Sequence, residues 1–139
     1  FHPADAPYMS VVSPSSHDMS TVRGWWEEDR AATQRFYNHL LGHGGDAPFY
    51  CEPWVARDIV VQHLYSPAMW AIFPIQDLVA MDGAIRREKP DQEQINVPAN
   101  PTHYWRYRFH IALEDLPRAE DFTRNLRKLV RESGRETVS

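Results

Sequence analysis

Ser13-Pro14-Ser15-Ser16-His17-Asp18-Met19-Ser20-Thr21, running into Val22-Arg23-Gly24-Trp25-Trp26, is the stretch on which the reading of this chain turns. Just upstream, Tyr8-Met9-Ser10-Val11-Val12 is a short run with β-branched residues, closed by Pro14 and two serines. That pattern predicts a strand leading into a loop. Downstream, Val22, Trp25, Trp26, Phe36, Leu40 and Leu41 recur at helical spacing, with Glu27, Glu28, Asp29 and Arg30 on the other side. Ser20 is the expected N-cap and Gly42 the stop. His17 and Asp18 therefore stand in a loop where a strand ends, the edge at which barrel enzymes keep their chemistry.

Beyond the loop from His43 to Pro48, Pro53 suits the first turn of a second helix, whose apolar face is Val55, Ile59, Val60 and Leu64. Pro67 ends it. Ala68-Met69-Trp70-Ala71-Ile72-Phe73, between Pro67 and Pro74, is too short for a helix and predicts a strand buried on both faces. Strand, helices and buried strand make a βαβ unit, a connection that is right-handed in nearly all known cases. After Ile75-Gln76-Asp77 a helical turn is expected from Leu78 to Met81. Residues 83–103, with Pro90, Pro98 and Pro101, read as an irregular loop that orders against a ligand or another domain. A last helix is expected from Arg118 to Ser133, with Phe122, Leu126, Leu129 and Val130 inward. Its charges, Glu120 and Asp121 early and Arg127, Lys128 and Arg131 late, suit the helix dipole.

The chain has 139 residues, enough for one domain with a moderate core. A net charge of -4 and a pI near 5.9 supply no long-range attraction for nucleic acid or an anionic membrane, so a neutral polar ligand is the easier partner. Cys51 is the single cysteine, which excludes an internal disulfide framework and fits a reducing compartment. No apolar run approaches the roughly 20 residues of a membrane span and no signal pattern is read, so the expected location is cytoplasmic. Phe1 rather than Met opens the chain, which predicts a piece of something longer or a processed product, while the C-terminal end reads as natural. A closed (β/α)₈ barrel takes about 250 residues. With at most two such strands, this chain would be a slice of one, needing a partner chain, self-association or rearrangement to cover its sheet edges.

Read alone, Asp18 is either a site carboxylate or a helix-capping or turn residue. Ser16-His17-Asp18 is not a hydrolytic triad, because triad members meet in space and adjacent residues point different ways. The run Tyr104-Trp105-Arg106-Tyr107-Arg108-Phe109 alternates aromatic and basic groups and so could stack nucleic-acid bases. In an acidic chain without a basic patch, core packing with one sugar platform at Trp105 is the better reading. Trp25 and Trp26 fit the helix's apolar stripe and read as structural. His39, His43, Cys51, His63, His103 and His110 show no metal-ligand spacing, and His39 and His43 straddle the helix end at Gly42, so no metal is expected.

Four stretches in order, Ser13 to Trp26, Pro74-Ile75-Gln76-Asp77-Leu78, Gln94-Ile95-Asn96-Val97-Pro98-Ala99-Asn100-Pro101 and His103-Tyr104-Trp105-Arg106-Tyr107-Arg108, resemble the 4-α-glucanotransferases. These amylomaltases, or disproportionating enzymes, form glycoside hydrolase family seventy-seven of the α-amylase clan. Ile95 to Arg108 looks most like the branch containing the plant cytosolic enzymes and their bacterial relatives. The resemblance covers nearly the whole chain, residues 1–139 as one segment. It implies an α/β fold class: the helix-rich C-terminal fragment of a (β/α)₈ TIM barrel, from the end of strand seven through the helices and strand eight to the last helix.

Such enzymes use a carboxylate nucleophile and a second carboxyl group as acid/base, through an oxocarbenium-like transition state. A third aspartate, preceded by a histidine, binds donor-sugar hydroxyls and stabilises that state. By resemblance Asp18 is that aspartate and His17 its partner. The nucleophile and the acid/base would lie in the missing N-terminal part of the same enzyme, so this chain alone is expected to be inactive. The implied partners are maltooligosaccharides or α-glucan, with no cofactor. Gln76 and Asp77, where a barrel loop begins, are candidates to reach the sugar, although Asp77 equally suits a cap for the short helix after it. Asn96 is a candidate for the acceptor side, although asparagine and proline also signal turns. A different class of function, a non-catalytic carbohydrate-binding or interaction module, stays open for the isolated chain.

Overall fold

Val11–Val12 form β1 and Trp70–Ala71 form β2, paired in parallel with Val11 opposite Trp70 and Val12 opposite Ala71. A parallel pair needs a long crossover. Here it is three helices: α1 (Val22–Glu28), α2 (Arg30–His39) and α3 (Pro53–Leu64). The structure is a computed structural model and describes residues 1–136. Two further helices follow β2, α4 (Ile75–Val79) and α5 (Glu120–Glu132), so the segment is α/β and helix-rich, as expected.

The single helix expected from Ser20 to Leu41 is two. Asp29 adopts an extended conformation, φ -140° and ψ 103°, and its carboxylate accepts from Ala32 N at 3.0 Å, capping α2. Aspartate competes with the helix for backbone donors in this way. Apolar periodicity runs on across the break because α1 and α2 still present one face to the core. There Trp25, Trp26 and Phe36 meet edge to face, with centroids 5.1 to 6.3 Å apart. The N-cap of α1 is Thr21, whose hydroxyl accepts from Gly24 N, while Ser20 donates to Glu28.

At the other end of α2, Gly42 turns the chain with φ +75° and open space around its Cα. Only the backbone penalty opposes a side chain there. Gly42→Ala is expected to lower the unfolding free energy by about 1–2 kcal/mol, measured by urea titration.

The second helix matches its expectation. Pro53 opens α3, and Val55, Ile59, Val60 and Leu64 are all buried. One side of α3 packs on Val22, Trp26, Tyr37 and Cys51, the other on Leu129 of α5. Each fully buried aliphatic side chain contributes about 1.5–3 kcal/mol, so α3 is the axis of the core. Burial pushes the Cys51 thiol up to about 12, which makes it an inert core residue.

Three other elements differ from expectation. β2 is not buried on both faces: Trp70 is 61% and Ile72 56% exposed, because the described residues hold no strand or helix over that side. α4 begins at Ile75 and contains Gln76 and Asp77 within it. α5 starts at Glu120, after a 3₁₀ turn over Leu116–Arg118 whose Pro117 delays it. Phe122 and Leu129 are buried in α5, and Leu126 and Val130 are half-buried. Arg135 then donates to the carbonyls of Leu64, Ser66, Ala68 and Met69, at 2.6 to 3.3 Å, fastening the described C-terminal end to the turn between α3 and β2. Residues 83–103 are irregular apart from a 3₁₀ turn at Pro90–Glu93.

Candidate functional site

The loop between β1 and α1 presents His17 and Asp18 to solvent, each side chain 56% exposed, with Nε2 3.2 Å from Oδ2. These neighbours in sequence do meet, contrary to the expectation that adjacent side chains diverge. Ser16 Oγ accepts from Asp18 N at 3.4 Å and is a partner of the backbone. A serine so placed is a turn residue, and the arrangement is not a nucleophile–base–carboxylate series.

From 78 residues further along, Asn96 Nδ2 donates to Asp18 Oδ1 at 2.8 Å. The indole of Trp105 stands 5.5 Å from the His17 imidazole, tilted by 53°. Local bonds shape this second segment: Gln94 Nε2 donates to Asn96 O at 3.0 Å, and His103 Nε2 lies 2.9 Å from Ile95 O. His17, Asp18 and Trp105 therefore share one open surface, and Asn96, itself buried, reaches the Asp18 carboxylate from beneath it. A cavity of about 350 Å³, lined by Val12, Met19, Trp25, Phe36, Ile59 and His63 among others, takes neither His17 nor Asp18 into its wall.

The aromatic run around Trp105 does not pack into the core as expected. Tyr104 and Trp105 are largely exposed and Tyr107 is half-buried. Residues 103–109 lie in no helix or strand, so no regular face exists to bury alternate rings. Arg106 lies over the Tyr104 ring at 5.1 Å. Trp105 is the ring of this run that stands beside His17.

Gln76 and Asp77 are beneath the surface. Gln76 is buried and its Nε2 donates to Glu93 O at 3.2 Å. Asp77, 2% exposed, accepts from Ser15 Oγ through one oxygen and from Val22 N, at 2.9 Å, through the other. It caps no helix after it; it satisfies the first N–H of α1, an earlier element. Burial raises the Asp77 carboxyl above its ordinary value, and the Ser15 and Val22 hydrogen bonds work against that rise.

Sequence reading passed over one group, the buried ion pair of Arg23 and Glu93, with Nη1 to Oε1 2.6 Å and side chains 6% and 3% exposed. Arg23 also donates to Arg87 O at 2.7 Å and Glu88 O at 3.1 Å, and Thr21 Oγ1 donates to Glu93 Oε2 at 3.2 Å. This pair clamps residues 87–93 to α1 and so delivers Asn96 to Asp18. Burial raises the Glu93 carboxyl, opposed by the Arg23 charge. The available signal was an arginine placed beside Val22, three residues before Trp26, on the stripe that faces the core.

Among the described residues no three His, Cys, Asp or Glu side chains are grouped to hold a metal ion, and no helix is long and apolar enough to cross a membrane.

Comparison with known proteins places these residues in a family. A family profile described as 4-alpha-glucanotransferase matches residues 1–114, which include His17, Asp18, Asn96 and Trp105 and leave α5 beyond the match. The rice (Oryza sativa subsp. japonica) 4-alpha-glucanotransferase DPE2 is 45% identical over 133 residues, 96% of this chain and 14% of its own length. A 4-alpha-glucanotransferase from Chlamydia trachomatis serovar D is 28% identical over 110 residues, 78% of this chain and 20% of its own length. The chloroplastic/amyloplastic 4-alpha-glucanotransferase DPE1 of Arabidopsis thaliana is 25% identical over 136 residues, 91% of this chain and 21% of its own length. The chain thus spans between about a seventh and about a fifth of these relatives, and it belongs to the 4-alpha-glucanotransferase family.

Proposed function

We propose that this chain is the C-terminal part of the catalytic (β/α)₈ barrel of a 4-alpha-glucanotransferase, and that it contributes the transition-state-binding side of the donor site. The full-length enzyme moves a segment of an α-1,4-linked glucan from one maltooligosaccharide to another by two displacements at the same carbon. The nucleophilic carboxylate and the acid/base belong to the rest of the enzyme, so the chain alone does not turn over.

The observation that carries the reading is the hydrogen bond from Asn96 to Asp18, which brings two distant stretches onto one exposed carboxylate. Asp18 Oδ1 accepts a hydrogen bond from Asn96 Nδ2 and Oδ2 faces His17, which fixes the plane of the carboxylate while leaving it open to a ligand. As the glycosidic bond breaks, the sugar ring flattens and positive charge grows near the ring oxygen. A fixed anion with free lone pairs binds that flattened, cationic ring more strongly than the relaxed sugar, and only such a difference accelerates the step. The Trp105 ring offers a flat apolar face beside the imidazole, on which a sugar can stack.

Maltotriose supplied to the full-length protein is expected to give glucose together with longer maltooligosaccharides, with the number of glycosidic bonds conserved. The isolated segment is expected to give neither. Bond hydrolysis without longer products, or no reaction by the full-length protein, would remove the transferase assignment. Within that enzyme Asn96→Ala is expected to reduce kcat about tenfold, the worth of one hydrogen bond to a charged group, as measured by initial rates of glucose release.

A further inference from the structure

One buried carboxylate holds both feet of the loop that displays His17 and Asp18. Asp77 on α4 accepts from Ser15 Oγ on the near side of the pair and from Val22 N on the far side. The stretch from Ser16 to Thr21 runs between those two bonds, and its hydrogen-bonding side-chain partners from elsewhere are Asn96 on Asp18, Glu28 on Ser20 and Glu93 on Thr21. Inside it the local hydrogen bonds of the backbone N–H groups are long, Asp18 N to Ser16 Oγ and Met19 N to Ser16 O both at 3.4 Å. Ser13 Oγ donates to Ser15 O at 2.7 Å and stiffens the first foot.

The chemistry of Asp77 suits this task. Two donors reach it from two places in the chain, and a carboxylate offers two acceptor oxygens and no competing donor. Its own helix makes no use of it, since α4 begins after Pro74 and has no side-chain cap. With 2% of its surface exposed and both oxygens engaged, Asp77 meets no sugar directly.

We propose that Asp77, acting with Ser15, is a positioning residue for the transferase: it sets where the Asp18 carboxylate stands against the reacting sugar. This rests on the role given to Asp18 above. A displacement of about 1 Å in a catalytic group costs on the order of a hundredfold in rate, and releasing either foot of the loop permits a displacement of that size.

The test uses the full-length enzyme, with kcat and KM for maltotriose measured for Asp77→Ala, Asp77→Asn and Ser15→Ala, each alone and combined with Asp18→Asn. Asp77→Ala is expected to lower kcat about a hundredfold with KM within about threefold of wild type. In combination with Asp18→Asn it is expected to add less than about threefold, because a residue that acts through Asp18 has nothing left to position. Asp77→Asn is expected to recover most of the loss, since its amide oxygen still accepts from Val22 N and its amide nitrogen donates to Ser15 Oγ. Should Asp77→Ala fail to fold, Ser15→Ala carries the same comparison, with about tenfold expected alone and none beside Asp18→Asn. An unchanged kcat, or a loss that multiplies in full with that of Asp18→Asn, overturns the positioning role. An active wild type with an unaffected Asp77→Ala overturns this inference alone; an inactive wild type overturns the transferase reading and this inference with it.

Discussion

Asp18→Asn in the full-length protein is expected to lower kcat about a thousandfold while KM for maltotriose changes by less than about threefold. The magnitude follows from the several kcal/mol that hydrogen bonds to a flattening sugar ring supply, at about 1.4 kcal/mol for each factor of ten. The split follows from what the substitution leaves in place. An asparagine occupies the same volume, and its amide oxygen still accepts from Asn96 Nδ2, now 2.8 Å from the carboxylate. What it removes is the negative charge that stands 3.2 Å from His17 Nε2. An interaction stronger in the transition state than in the ground state is lost from kcat; one equal in both is lost from KM. Initial rates across a maltotriose series separate the two. A rise in KM at constant kcat would make Asp18 a simple sugar ligand.

Arg23→Met is expected to lower the unfolding free energy by about 3–5 kcal/mol, read by urea titration. The loss does not measure the worth of the ion pair. It arises because Glu93 stays buried without its counter-charge, and because Arg87 O and Glu88 O lose their donor. Pairing Arg23→Met with Glu93→Leu is expected to restore most of the loss, since replacing both partners leaves no buried charge. The pH dependence has a definite sign. Burial already raises the Glu93 carboxyl, and removing Arg23 raises it further, so the folded variant holds a proton that the unfolded chain releases. Its stability is then greatest below the ordinary carboxylate range and declines as pH rises through the folded value. A deficit that stays constant from acid to neutral pH would mean that Glu93 had found another partner.

Much of this architecture was legible because local rules and the fold agree. Pro53, followed by apolar residues at spacings of three and four, describes α3 and its buried face without tertiary information. The strand, loop and helix around His17 and Asp18 were legible for the same reason. Asp29 was misread because its capping bond to Ala32 breaks a helix without disturbing the apolar period on either side. β2 was misread because an uninterrupted apolar run reports two faces suited to burial, whereas coverage of those faces depends on other elements. The site divides the same way. His17 and Asp18 were visible from their place at a strand end. The buried pair of Arg23 and Glu93 joins α1 to an irregular proline-bearing segment 70 residues away, and no periodicity connects them. Asp77 was a candidate to reach the sugar from its neighbours in sequence, whereas the positioning role proposed for it depends on Ser15 and Val22, which only the fold brings to it.

The central claim is that Asp18 binds the transition state better than the ground state. Calorimetry with a cationic, flattened glucose mimic tests this most directly, comparing the full-length wild type with Asp18→Asn. The account predicts that the mimic binds the wild type at least about a hundredfold more tightly than the variant, while maltotriose binds both within about threefold. Equal affinity of the mimic for the two proteins would contradict it.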